Sequence, residues 1–181
     1  LTVHRNRQRV ADLLEAGATQ VATPAELGKT CDVVVVCVTG SPQVEQVLAG
    51  PDGVLSAPRK GLVVIETSTS EPDSTARLRE ACAAKGVTLV DAPLARTPVE
   101  AEQGRLNTMV GADDATFAAI RPVLEGYCEN IFHVGGPGAG HVIKLLNNFV
   151  AQAICTATAE AFAVGVRAGV DPRKLVEVVS A

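Results

Sequence analysis

The chain contains no tryptophan and one tyrosine in 181 residues, and aromatic residues make up 3% of its composition. Proteins that bind single-stranded nucleic acids stack bases on aromatic side chains, so this composition argues against such a platform. The formal net charge is −4, and the sequence has no run of lysine and arginine. Because nucleic-acid binders neutralise phosphates with such runs, we expect no nucleic-acid partner.

Paired cysteines and long apolar runs are also missing. Five cysteines stand singly, without CxxC spacing, and their mostly apolar surroundings predict small core residues: Cys31, Cys37, Cys82, Cys128 and Cys155. No uninterrupted apolar run approaches the ~18 residues of a membrane helix, and the N-terminus shows no signal-peptide pattern. We therefore expect a cytoplasmic protein without a membrane partner. The three histidines do not form a ligand set, so we expect no metal.

Short apolar runs alternate with helical patterns over the first 135 residues. Strands are predicted at 1–4, 33–38, 62–65, 87–90, 108–110 and 131–134, and helices at 7–16, 42–48, 72–85 and 114–124. This alternation predicts βαβ units, and hence an α/β fold with a parallel, helix-flanked sheet. From Ala139 a long helix runs to about Ala168, and a second helix starts at Asp171. The predicted domains are 1–135 and 136–181.

The most informative segment is 135–148, GGPGAGHVIKLLNN, which follows a strand and opens the long helix. Helical spacing places Gly140, Lys144, Asn147 and Asn148 on one face. Such a stripe offers a proton donor and two amides, with room for a small ligand beside Gly140. It is also compatible with a solvated helix face, and both interpretations stay open. His141 beside the stripe is expected to be structural or loop-facing.

Polar clusters follow three of the predicted strands, at 38–41, 66–70 and 91–97. Ligands of open α/β sheets bind beyond the carboxyl ends of the strands, so the clusters predict a site at that edge. Each cluster taken alone could be a helix cap. The glycine run at 135–140 is not a dinucleotide fingerprint, because GxGxxG from Gly136 would require glycine at position 141. No other GxGxxG or Walker-type loop occurs in the chain.

These motifs, in this order, resemble the β-hydroxyacid dehydrogenases, the family of 3-hydroxyisobutyrate dehydrogenase and tartronate semialdehyde reductase, related to 6-phosphogluconate dehydrogenase. The resemblance is carried by Ser68-Thr69, Asp91-Ala92-Pro93, Gly104-Arg105-Leu106, Met109-Val110-Gly111, Gly140-xxx-Lys144-xx-Asn147-Asn148 and Ala159-Glu160. It implies a Rossmann-like domain, a long interdomain helix and the start of an all-α domain. It also implies hydride transfer between NAD or NADP and a short β-hydroxyacid or its semialdehyde.

The resemblance assigns roles to individual residues. Lys144 would be the catalytic acid/base, and Asn147 and Asn148 would orient the substrate. The cofactor would lie along Val38, Thr39 and Thr69.

Family members begin with a further strand and GxGxxG loop, and they end with a longer all-α domain through which we expect a homo-oligomer. We therefore expect the first strand and its glycine-rich loop to be missing, a chain truncated at both ends, and a fragment that is inactive on its own.

Two positions refine the expected ligands. Ala95, Arg96 and Thr97 stand where most members have Ser-Gly-Gly, a variant similar to sulfolactaldehyde reductase. Arg96 and Thr97 are therefore candidate substrate residues for a small anion, a sulfonate among them, although Arg96 could equally be a surface side chain. No acidic residue follows the first predicted strand, and Arg5 there favours NADP(H), with NAD(H) left open.

The alternative function is a non-catalytic α/β domain that associates through its exposed apolar helix.

Overall fold

The computed structural model describes residues 8–181. The strand predicted at 1–4 and the cofactor residue Arg5 lie outside the described residues. Six strands form one sheet: β1 Val33–Val36, β2 Val63–Glu66, β3 Thr88–Asp91, β4 Leu94–Ala95, β5 Leu106–Gly111 and β6 Cys128–Gly135. Eight helices accompany them: α1 Gln8–Glu15, α2 Pro24–Thr30, α3 Ser41–Ala49, α4 Pro72–Ala83, α5 Pro98–Glu102, α6 Asp114–Leu124, α7 Ala139–Arg167 and α8 Pro172–Val179.

The first three strands form the parallel part of the sheet. Val34 pairs with Val64, and Val64 in turn pairs with Leu89. The connections that contain α3 and α4 allow this parallel arrangement, because parallel strands need a crossover of a dozen or more residues. The carboxyl ends of β1, β2 and β3 therefore lie along the same edge of the sheet.

The sheet is mixed rather than parallel throughout, while the predicted α/β class is confirmed. Strands β3 and β4 both pair antiparallel with β5, and β6 pairs parallel with β5. Between Ala95 and Leu106 the chain forms only the five-residue helix α5. This connection is too short for a crossover, so the chain turns back antiparallel. Helices α2 and α5 and strand β4 were not predicted from the sequence.

Two apolar clusters flank the sheet. Adjacent residues of one strand fall in different clusters: Val64 and Leu89 belong to one, Ile65 and Val90 to the other. Successive side chains of a strand point to opposite faces, so the clusters cover the two faces of the sheet. Helices α3 and α4 supply Val44, Leu48 and Leu78 to the first cluster, and α6 supplies Ile120 and Leu124 to the second.

The contacts divide the chain into two units, Leu1–Lys144 and Leu145–Ala181. The domain boundary predicted at residue 135 stays a prediction. In the second unit, α8 is capped by Asp171, whose carboxylate accepts a hydrogen bond from Arg173 N at 2.9 Å.

Helix α7 corrects one expectation about membranes. Among the described residues it is the one helix that is long and apolar enough, by length and composition, to cross a bilayer, with 29 residues. The expectation that no apolar segment approaches this length is therefore wrong by that criterion. A single such helix is weak evidence of a membrane span, since helices of protein cores meet the same criterion.

Candidate active site

Lys144 is a lysine with little exposure to solvent. The residue is only 9% exposed. Within residues 8–181, its amine has neither a hydrogen-bond partner nor an ion-pair partner. Burial lowers the pKa of Lys144 below the ordinary value of 10.5, because the charged form loses solvation. A mostly buried lysine with a lowered pKa and no counterion among the described residues is a candidate acid/base group.

Two glycines allow α7 to begin against the strand ends. A Cβ atom at Gly140 would lie 2.7 Å from the Asp91 carbonyl oxygen and closer still to the Met109 carbonyl oxygen. A Cβ atom at Gly111 would lie 2.8 Å from the Gly140 nitrogen. The space beside Gly140 is therefore filled by backbone and by Asp91, and the expectation of ligand room at that position is wrong.

Asp91, the last residue of β3, caps the start of α7. Its Oδ1 atom accepts a hydrogen bond from Gly138 N at 2.6 Å, and its Oδ2 atom accepts one from His141 N at 3.1 Å. Burial raises the pKa of Asp91, and these hydrogen bonds oppose the rise. A carboxylate at this place satisfies N–H groups that a helix leaves unpaired and complements the positive end of its dipole.

His141 is completely buried one turn before Lys144. Its Nδ1 atom lies 2.8 Å from Thr75 Oγ1, and its Nε2 atom lies 3.2 Å from the Ser68 carbonyl oxygen. The same Nε2 atom is 2.8 Å from Glu66 Oε2, a close contact without hydrogen-bond alignment. Of the two expectations for His141, structural or loop-facing, the fully buried ring fits the structural one.

The loops after β1 and β2 are held side by side. Val38 N donates a hydrogen bond to Ser68 Oγ at 2.9 Å, and Thr67 N donates one to the Val36 carbonyl at 2.8 Å. Thr39 and Thr69 are both exposed on these loops. The structure thus brings Val38, Thr39 and Thr69 to the same edge of the parallel strands.

Two family models of dinucleotide-binding domains match the chain. Residues 1–135 match the family model described as the NAD binding domain of 6-phosphogluconate dehydrogenase. Residues 138–181 match the model described as NAD-binding of NADP-dependent 3-hydroxyisobutyrate dehydrogenase. The chain belongs to the β-hydroxyacid dehydrogenase family. The resemblance seen in the sequence is confirmed, as is the dinucleotide-binding character of its domains.

Relatives in this family are longer than the chain. It is 38% identical to 3-hydroxyisobutyrate dehydrogenase of Pseudomonas aeruginosa over 169 residues, 93% of the chain and 57% of that protein. It is 35% identical to 2-(hydroxymethyl)glutarate dehydrogenase of Eubacterium barkeri, over 94% of the chain and 56% of that protein. The structure of Mycobacterium tuberculosis 3-hydroxyisobutyrate dehydrogenase with L-serine matches with a TM-score of 0.86 at 27% identity, over 97% of the chain and 60% of that structure. The chain therefore spans less than two thirds of these proteins.

Arg96 and Thr97 already have partners within the chain. Arg96 has a φ of +82°, and its guanidinium pairs with the Glu129 carboxylate and donates to the Arg105 carbonyl at 2.5 Å. Arg105 contacts the other carboxylate oxygen of Glu129 at 3.1 Å. Thr97 caps α5, and its N–H donates to the Glu100 carboxylate at 2.9 Å. No contact joins Arg96 or Thr97 to Lys144 among the described residues.

The two asparagines belong to the second unit. Asn147 is exposed and Asn148 is half-buried, and neither side chain has a hydrogen-bond partner within the described part of the chain. Their place on the same helix face as Lys144 stays a prediction from helical spacing.

The contacts of His141 were not predicted from the sequence, although Glu66 belongs to the polar cluster predicted at 66–70. Glu66 and Thr75 carry no motif that links them to His141, because the contact joins residues 66 or more positions apart in the chain. A carboxylate at the end of the apolar run VVIE was the available signal, because a buried charge needs a partner. Among the described residues, no three His, Cys, Asp or Glu side chains are grouped to hold a metal, and the expectation of no metal stays a prediction.

Proposed function

We propose that the protein is an NAD(P)-dependent 3-hydroxyacid dehydrogenase or reductase in which Lys144 is the catalytic acid/base. The observation that carries the proposal is a lysine that is 9% exposed and has no partner among residues 8–181, on the Gly140-xxx-Lys144 spacing of the family. Relatives named for 3-hydroxyisobutyrate and 2-(hydroxymethyl)glutarate support a short hydroxyacid as substrate.

Hydride transfer between a nicotinamide and an alcohol needs two contributions from the chain: a group that carries the proton and amides that orient the substrate. The nicotinamide, when bound, supplies the hydride acceptor or donor for the alcohol carbon. Lys144 takes the hydroxyl proton during oxidation and returns a proton to the carbonyl oxygen during reduction. Its lowered pKa makes the neutral amine more accessible than that of an exposed lysine. The Asn147 and Asn148 amides donate to substrate oxygens and fix the reacting geometry.

The carboxyl edge of β1 and β2 fits a dinucleotide. The exposed hydroxyls of Thr39 and Thr69 stand on loops that the Val38–Ser68 hydrogen bond joins. We assign Val38, Thr39 and Thr69 to the cofactor, and Arg5 to a 2′-phosphate, which favours NADP(H) over NAD(H). Arg5→Ala should weaken NADPH binding much more than NADH binding in a fluorescence titration. Equal affinities before and after the substitution would contradict the assignment of Arg5.

The acid/base role is tested in the complete gene product with Lys144→Ala. We expect kcat to fall by about 10²–10⁴-fold, because a positioned proton carrier contributes that much. Lys85→Ala, which removes an exposed lysine of the same unit, is the matched control and should leave kcat unchanged. Full activity of the Lys144 variant would reject the dehydrogenase proposal. The 181-residue chain is assayed in parallel, and we expect weak dinucleotide binding because it contains no GxGxxG loop.

Arg96 and Thr97 are proposed to recognise the anionic group of the substrate. Arg96 and Arg105 share the carboxylate of Glu129, and the Glu100 carboxylate also lies within electrostatic range of Arg96. An anionic substrate would therefore have to take the place of a carboxylate beside Arg96, and the guanidinium suits a carboxylate or, as a finer proposal, a sulfonate. Arg96→Ala should raise KM for an anionic substrate by roughly 10–100-fold with little change in kcat, as expected for a lost charged hydrogen bond. An unchanged KM would exclude Arg96 from the substrate site.

The second candidate function is a non-catalytic domain that self-associates, and one observation favours it. Apolar side chains of α7 beyond Leu145 are exposed, with Phe149 at 71% and Val164 at 67%. We propose a cytoplasmic homo-oligomer formed through this helical unit, whether or not the protein is an enzyme. Phe149→Asp should shift the mass measured by light scattering toward the monomer. If the protein self-associates and the Lys144→Ala variant keeps full dehydrogenase activity, the results would favour self-association over catalysis by Lys144.

A further inference from the structure

A buried polar cluster lies directly before Lys144, and the proposed chemistry does not use it. Its members are Glu66, Ser68, Thr75 and His141, and all four are buried. They come from the end of β2, the loop after it, helix α4 and the first turn of α7. Burying polar groups costs free energy of folding unless the groups are paired with one another. The function of this paired cluster is therefore the question.

The hydrogen-bonding roles in the cluster follow from the neighbours of the imidazole. Nε2 has two neighbours, the Ser68 carbonyl and the Glu66 carboxylate, and both are acceptors. Nε2 therefore carries a hydrogen. Nδ1 pairs with Thr75 Oγ1, a hydroxyl that also reaches the Glu71 carbonyl at 3.1 Å. The ring is held on both sides by different elements, and its orientation is fixed.

The buried carboxylates near the start of α7 have neighbours other than Lys144. Glu66 Oε1 accepts a hydrogen bond from Ser68 N at 2.7 Å, while Glu66 Oε2 contacts His141 Nε2 without forming a hydrogen bond. The two oxygens of Asp91 accept hydrogen bonds from Gly138 N, just before α7, and from His141 N. Among the described residues neither carboxylate pairs with Lys144, whose pKa would rise beside an opposite charge.

A third charged group approaches the same turn from α4. The guanidinium of Arg79 lies 3.4 Å from where a Cβ atom at Gly138 would be. Three charged side chains thus approach the first turn of α7: Glu66 from β2, Asp91 from β3 and Arg79 from α4.

We propose that His141 is a positioning residue, which fixes the rotation of the first turn of α7 against β2 and α4 and so keeps Lys144 buried without a carboxylate partner. Residues three apart on a helix share a face, so fixing the His141 ring also fixes the direction of Lys144. Ala at this position would release Glu66 and remove two side-chain contacts of the ring. The catalytic consequence rests on the proposed function of Lys144, whereas the structural claim does not.

The test measures the pKa of Lys144 directly in the 181-residue chain. Lysines are labelled by reductive ¹³C-methylation and followed by NMR through a pH titration, with Lys144→Arg assigning the signal. The other four lysines are exposed and serve as internal references: Lys29, Lys60, Lys85 and Lys174. In His141→Ala we expect the measured pKa of Lys144 to rise by about 1, because the loosened turn admits water. The four references should not move.

Two milder variants keep the test decisive if His141→Ala does not fold. Thr75→Val removes a single hydrogen bond of the ring, and we expect a smaller rise in the same direction. His141→Gln keeps a donor and an acceptor and should restore most of the original pKa. An unchanged Lys144 pKa in folded His141→Ala, or in Thr75→Val where that protein is lost, would overturn the proposal.

Kinetics separate this proposal from the proposed function. In the complete gene product, Thr75→Val should move the pH break of kcat upward in parallel with the NMR value. A merely structural role lowers the melting temperature and leaves the break in place. If Lys144→Ala keeps full activity while the NMR shifts appear as expected, the dehydrogenase proposal fails and the positioning role of His141 stands.

Discussion

The two cations proposed for the site differ in burial and in pairing. Lys144 is 9% exposed and has no partner among the described residues, whereas the Arg96 side chain is 27% exposed and paired with Glu129. The carboxylates nearest the start of α7 accept hydrogen bonds from backbone N–H groups, and Glu66 Oε2 contacts His141 without a hydrogen bond. The surface around Arg96 instead provides a carboxylate that is shared with Arg105.

This difference separates two uses of positive charge. A buried ammonium without a counterion is destabilised in its charged form, so it gives up its proton more readily than a solvated one. An exposed guanidinium remains charged at any ordinary pH and exchanges one anion for another at small cost, because exposed ion pairs are weak. Lys144 is therefore suited to moving a proton, and Arg96 to holding an anion.

The pH dependence of kcat tests whether Lys144 moves a proton in the reaction. The change in kcat with pH is the largest effect that we expect. Burial places the pKa of Lys144 below 10.5, so the break in each rate profile should lie below that value. Oxidation needs the neutral amine, and its kcat should rise about tenfold per pH unit until the break. Reduction needs the ammonium, so its kcat should fall above the same break. Profiles with the same sign in both directions would contradict a single acid/base lysine.

Removing the close approach of α7 should disrupt the burial of Lys144. Gly140→Ala places a Cβ atom against the carbonyl oxygens of Asp91 and Met109, and we expect a loss of about 1–3 kcal/mol in the free energy of unfolding. The loss should appear although alanine is the better helix former. Urea denaturation of the chain measures it. Gly136→Ala is the control, because a Cβ atom there meets nothing within 4 Å. Equal stability of the two variants would contradict the close contact.

The sequence predicts the Lys144 side of the comparison much better than the Arg96 side. Periodicity places Lys144 on α7, and apolar runs place the parallel strands β1 to β3, because both signals are local. The contacts of His141 and the pairing of Arg96 with Glu129 join residues 33 or more positions apart, and no local pattern encodes them. The strand at 108–110 was predicted, but the antiparallel direction of β5 was not, since that direction depends on a short connection rather than on the residues of the strand.

The backbone of Arg96 offers a smaller test of why this position carries a side chain. At a φ of +82° a side chain costs roughly 1–2 kcal/mol that glycine does not. Arg96→Ala and Arg96→Gly lose the same charge, so their difference isolates the backbone term. We expect the glycine variant to be the more stable by about 1 kcal/mol in thermal unfolding. No difference between the two would mean that the backbone of Arg96 is unstrained.

The smallest effect that we expect is a change in KM on replacing Glu129. It tests most directly whether Arg96 holds an anion while Lys144 moves a proton. Glu129→Gln keeps the size of the side chain and removes the carboxylate that Arg96 and Arg105 share. If a substrate anion has to displace Glu129, KM for that substrate should fall roughly two- to fivefold, a size typical of exposed ion pairs. The change should shrink as salt is added, since exposed charges are screened. The pH break assigned to Lys144 should not move, because the two cations act on different parts of the substrate. A shifted break with an unchanged KM would instead show that the two cations are coupled, and the division of roles between them would have to be abandoned.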